Sequence, residues 1–178
     1  MNNIDRFTFI SELNSKVNHY VNEHHLFSGG CCYTAYCLAA ALKHAGIKYR
    51  TVVWQYQDIL KENNFNKVIN GKGVSHVGIE VTVRGEKVII GDCSGIKEYF
   101  ATTYQDYRVR KYDNVDPEEL LEGYRNNKWN YLYNTSWNKY LARDIRKITT
   151  KYAGDLKIRS SYKRPSLEQL FGLFFFGF

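Results

Sequence analysis

"FSGGCCYTAYCLAAALKHAGIKYR" (residues 27–50) sets two glycines and three of the chain's four cysteines at the front of a helical pattern. From Cys31 the apolar positions Ala35, Leu38, Leu42 and Ala45 recur at i+4, i+7, i+11 and i+14, which is one face of an α-helix. Gly46 falls where a helix is most cheaply closed by a left-handed residue. "YRTVVWQY" (49–56) follows directly and reads as a buried strand. Upstream, Ser28-Gly29-Gly30 ends an earlier helix over residues 4–25, whose stripe is Phe9, Leu13, Val17 and Tyr20.

Further along, "VSHVGIEVTVRGEKVIIGDCSG" (74–95) reads as two antiparallel strands about a turn at Arg84-Gly85. Val77, Ile79, Val81 and Val83 make one face of the first strand; His76, Gly78, Glu80 and Thr82 make the other. A two-residue loop (Arg84, Gly85) sets His76 across from Cys93. A three-residue loop (Val83, Arg84, Gly85) pairs Thr82 with Glu86 and sets His76 across from Asp92. Three-residue hairpins commonly end in a left-handed residue, which Gly85 supplies freely, so the three-residue register is expected.

Residues 57–73 read as an Asn- and Lys-rich loop with a helical turn, and 96–115 as a mixed, tyrosine-rich stretch. At Asp116-Pro117-Glu118-Glu119 a cap residue, a first-turn proline and early carboxylates signal a helix start. Trp137, Leu141, Ile145 and Ile148 form the stripe of a last, basic helix. The expected organisation is one domain over 1–178: a core over 1–100, then a helical and tyrosine-rich extension over 101–178.

With 178 residues and 44% hydrophobic content, the chain can bury a core without disulfide help, and disorder is excluded as its general state. No apolar run approaches the roughly 18 residues of a membrane span, and the first residues lack a signal-peptide pattern. Reduced thiols and a cytoplasmic or assembly-associated location, such as a virus particle, are therefore expected. A net charge of +7 suits acidic partners, but no nucleic-acid-binding motif accompanies it. The only support for nucleic acid is the basic final helix, so no specific nucleic-acid partner is expected.

Three readings compete for the cysteines. Zinc sites use pairs at C-x2-4-C spacing or Cys with His at set intervals, which this chain lacks, so no metal and no cofactor are expected. Burial as small apolar side chains suits Cys37 and Cys93. Cys31 differs, because it follows Gly29 and Gly30 and opens a helix. Its sulfur then sits by unpaired N–H groups at the positive end of the dipole, which favours the thiolate, the nucleophilic form. The glycines let a substrate approach, and the Cys31 N–H is placed to donate to an oxyanion. Of five histidines, His76 is the one in a strand, and Asp92 closes the neighbouring strand.

These residues resemble the transglutaminase-like superfamily, within the papain-like group of cysteine enzymes. Gly29-Gly30-Cys31, Ala35, Leu42-Lys43 and Gly46-Ile47-Lys48-Tyr49-Arg50 fall where the family has a Gly-x-Cys helix start, an alanine, a Leu/Arg-rich end and Gly-Ile-Pro-x-Arg. "SHVGIEVTVRGEKVIIGDCSG" is similar to its His-x-Trp strand, glycine turn and Asp-Pro-Thr, with Gly78 in place of the aromatic and Cys93-Ser94 in place of Pro-Thr. The likeness covers about residues 27–95. It implies an α+β, papain/transglutaminase-like fold, with the Cys31 helix packed on an antiparallel sheet and additional C-terminal helices, and a catalytic Cys31–His76–Asp92 triad lined by Gly29, Gly30, Cys32 and Gly78. It also implies an acyl-enzyme chemistry on amide bonds, with a protein or peptide as substrate.

The alternative is a non-catalytic structural or binding module. The terminal "SLEQLFGLFFFGF" (166–178) carries more apolar surface than a free tail should expose. It reads as a strand or helix docked on the core, or as a surface for self-association or an assembly partner through Leu167–Phe178.

Overall fold

The computed structural model describes residues 3–24, 31–56, 65, 74–91, 107–126 and 135–153. Helix α1 (Asn3–His24) leads to α2 (Cys31–His44), then strand β1 (Tyr49–Tyr56) and the pair β2 (Val74–Val83) and β3 (Glu86–Ile90). Strand β4 (Tyr107–Asp113) and helices α3 (Pro117–Asn126) and α4 (Thr135–Lys151) complete the described chain. The strands form one antiparallel sheet in the order β3-β2-β1-β4. The protein is thus a mixed α+β fold, with α2 against the sheet and further helices toward the C-terminus.

Local chemistry explains the C-terminal end of α2 and the start of α3. Gly46 adopts φ +66°. Its N–H donates to Lys43 O at 3.0 Å, and the Ile47 N–H donates to Leu42 O at 2.9 Å. This is the paired closure of a glycine-capped helix, with Ile47 and Leu42 both buried beneath it. At α3 the Asp116 Oδ1 accepts from the Glu118 N–H at 3.0 Å, with Pro117 in the first helical position.

The single apolar face expected of α2 is exceeded. Every residue from Cys32 to Leu42 is buried, because α2 runs through the centre and meets α3, α4, β1 and β2. Ala39, Ala40 and Ala41 let those neighbours approach closely. The α1 stripe of Phe9, Leu13, Val17 and Tyr20 is buried as expected, and α1 packs on α4 through it. Leu141, Ile145 and Ile148 of α4 are also buried; the Trp137 side chain lies outside the described residues.

Two expectations need correction. The mixed stretch after residue 96 contributes β4, a strand beside β1, so described residues after position 100 share the sheet and core with those before it. As an edge strand of mostly polar residues, with Val109 half exposed, it lacks the apolar alternation of a core strand.

The three-residue register is overturned as well. Val83 pairs with Glu86, so the loop is Arg84-Gly85 alone, at φ 52° and 87°. Left-handed values at both central residues are those of the tight hairpin turn whose twist matches the strands. This register sets Ile79 against Ile90 and Val81 against Val88, which keeps all four on the core side. A one-residue slip would instead turn Lys87 inward. The strain at Arg84 is offset by docking: its guanidinium lies 4.1 Å from the centre of the Phe7 ring. Arg6 Nη2 also donates to Thr82 O at 3.2 Å.

Candidate functional site

The site lies at the start of β2, past the last described pair of the β2–β3 ladder. That pair is Ile79–Ile90, after which Gly91 turns away at φ +75°. Beyond Ile79, toward the start of β2, no described strand covers the β2 edge. There Cys31, the first residue of α2, meets the strand. Its sulfur is in hydrogen-bond contact with the Cys32 thiol, the His76 side chain and the Val77 backbone N–H.

The two partners come from opposite layers. Val77, Ile79 and Val81 face the helices, so His76, Gly78 and Glu80 face the other way, beside Trp54 and Val52 of β1. His76 is buried among them, while Cys31 keeps partial exposure to solvent. The Cys31 sulfur thus meets both the Val77 N–H and the His76 side chain near the start of β2.

The electrostatics separate the thiols. The bond from Cys32, then the bond and charge of His76 and the Val77 N–H, hold the Cys31 thiol well below the ordinary thiol range against the opposing effect of burial. The same bond, with burial, pushes Cys32 well above that range. Burial pushes Cys37 up to about 12. The cluster therefore holds one thiol below the ordinary range and two above it.

The other sequence-derived candidates fall in different places. Cys32 is buried and touches Cys31 directly. Gly78 lies on the His76 face, two residues along β2, beneath the Trp54 indole. Gly29, Gly30 and Asp92 lie outside the described residues, as do Cys93 and the segment Leu167–Phe178. The register that would have set Asp92 across from His76 does not occur, so an orienting role for Asp92 rests on the family resemblance alone.

Two contributors escaped the sequence reading: the Val77 amide and Trp54. Both depend on which residues of β1, β2 and β3 stand side by side, a relation that no local spacing encodes. Among the described residues, no group of three or more His, Cys, Asp or Glu side chains could hold a metal ion, and no helix is long and apolar enough to cross a membrane. No family model, curated protein or solved structure matches the chain.

Proposed function

We propose that this chain is a thiol enzyme of the transglutaminase-like kind, acting on amide bonds of a protein or peptide through an acyl-enzyme. The observation that carries the reading is the contact of Cys31 with His76 at the head of α2, where the thiol is held well below its ordinary range. In the reaction His76 accepts the Cys31 proton, and the thiolate attacks the substrate carbonyl carbon. The oxyanion that forms is offered the backbone N–H groups of the first turn of α2, which have no partner within the helix. The imidazolium returns its proton to the departing amine. Water then releases the acyl group as an acid, or a second amine takes it in transfer; hydrolysis is the expected outcome.

The test is site-specific labelling. A small haloacetamide should alkylate Cys31 ahead of Cys32, Cys37 and Cys93 in the intact chain, with peptide mapping by mass spectrometry as the readout. His76→Ala should slow that labelling at neutral pH by about tenfold to a hundredfold. Preferential labelling of another cysteine would remove the assignment and leave the non-catalytic module, with its apolar terminal segment, as the remaining reading.

A further inference from the structure

The imidazole of His76 has a ring neighbour on the next strand. Trp54 is its direct partner in the β1–β2 ladder. The ring centroids lie 5.0 Å apart with the planes tilted by 46°. Trp54 is 3% exposed and His76 4%, so the contact is shielded from water.

Gly78 makes this arrangement fit. A Cβ there would lie 3.3 Å from Trp54 Cζ3, 3.4 Å from Cη2 and 3.2 Å from Ile89 Cγ2. Gly78 lies within β2 and is not among the glycines of positive φ, so its backbone does not call for glycine. What glycine provides is room for the indole to lie across the strand and reach His76.

We propose that Trp54 is the positioning residue for His76, seated by Gly78, and that it sets the imidazole against Cys31. The proposal rests on the reading of Cys31 and His76 as the reacting pair. An aromatic face so close restricts the imidazole to few rotamers. It also attracts the imidazolium that forms when His76 takes the thiol proton. The titratable groups around the pair are few among the described residues. Cys31 and Cys32 approach from α2, and Glu80, lying between Arg50 of β1 and Lys111 of β4, shares the His76 face.

The experiment follows the rate of haloacetamide alkylation at Cys31 in the full chain, from mildly acidic to mildly alkaline pH. Wild type is compared with Trp54→Leu, Trp54→Phe, Gly78→Ala and His76→Ala, each checked for folding by circular dichroism. Trp54→Leu should slow labelling at neutral pH about tenfold and move its onset to higher pH, because the apolar bulk remains but the ring is gone. Trp54→Phe, which keeps a ring, should recover the rate to within about threefold of wild type. A folded Trp54→Leu with the wild-type profile, or a Trp54→Phe no better than Trp54→Leu, overturns the proposal. If Trp54→Leu does not fold, Gly78→Ala decides: it displaces the ring without removing it, and an unchanged profile overturns the proposal. Wild-type labelling that does not favour Cys31, or that ignores His76→Ala, sinks the thiol-enzyme reading and this proposal with it. Sensitivity to His76→Ala alone leaves the enzyme reading standing and rejects Trp54.

Discussion

Gly91 stands so close to Leu38 that a Cβ on it would lie 2.6 Å from the Leu38 Cδ1. Its backbone is left-handed at φ +75°, and its N–H donates to Asn14 Oδ1 of α1 at 3.0 Å. Gly91 therefore ends β3 and ties that end to both α1 and α2. Gly91→Ala should lose about 2–3 kcal/mol in urea unfolding, from backbone strain together with overpacking against a buried leucine. A loss under about 0.5 kcal/mol would show that the chain ends β3 in some other way.

The Cys31 thiol, lowered by Cys32, His76 and the Val77 N–H, should react at pH values where an ordinary thiol, with a pKa of about 8.5, is nearly silent. Cys32 and Cys37, both pushed up, should label only after unfolding. The check is the pH profile of alkylation, resolved by cysteine, in native and urea-treated protein. A shared profile for the three thiols would contradict the geometry.

Glu80 is 5% exposed and lies between Arg50 and Lys111. Burial pushes its carboxyl up, but the bonds from Lys111 and Arg50 outweigh burial and hold it below the usual range. A carboxyl depressed in the folded state stabilises above its unfolded value of about 4.3, and that stabilisation is lost as pH falls through the folded value. Glu80→Gln should cost about 1–3 kcal/mol at neutral pH and should flatten the loss of stability between roughly pH 5 and pH 3. Urea midpoints measured across that range decide; parallel curves for the two proteins would exclude the effect.

Asp116 caps α3 through Oδ1, while its Oδ2 is 2.5 Å from Lys43 Nζ at the end of α2. Removal of the cap in Asp116→Ala should cost about 1 kcal/mol, and Asp116→Asn, which still accepts the Glu118 N–H, should cost less. Lys43→Ala should change little, because both partners of that ion pair are well exposed. Thermal unfolding of the three variants ranks them. A larger loss from Lys43→Ala than from Asp116→Ala would reverse the relative weight given to cap and ion pair.

Much of this architecture follows from short-range chemistry that a linear reading captures. The glycine closure of α2 at Gly46, the Asp116-Pro117 start of α3 and the apolar run of β1 each depend on residues within a few positions of one another. That Cys31 opens a helix is legible for the same reason, since the apolar positions after it recur at helical spacing.

Relations between distant segments had to await the folded chain. The hairpin register could have been suspected from Val88 and Ile90, whose spacing matches Val81 and Ile79. The preference of Gly85 for a left-handed backbone fits both loop lengths, however, and burial of the core face decided between them. Strand β4 is an edge, so its sequence carries little apolar alternation, and hydrogen bonds to β1 make it a strand. The meeting of Trp54 with His76 depends on the pairing of two strands separated by a long connection. Sequence alone determined where the four helices, β1 and the β2–β3 hairpin fall and which cysteine opens a helix, because those are local free-energy choices. Tertiary structure decided which side chains face one another, because cross-strand register is set by burial of the whole sheet.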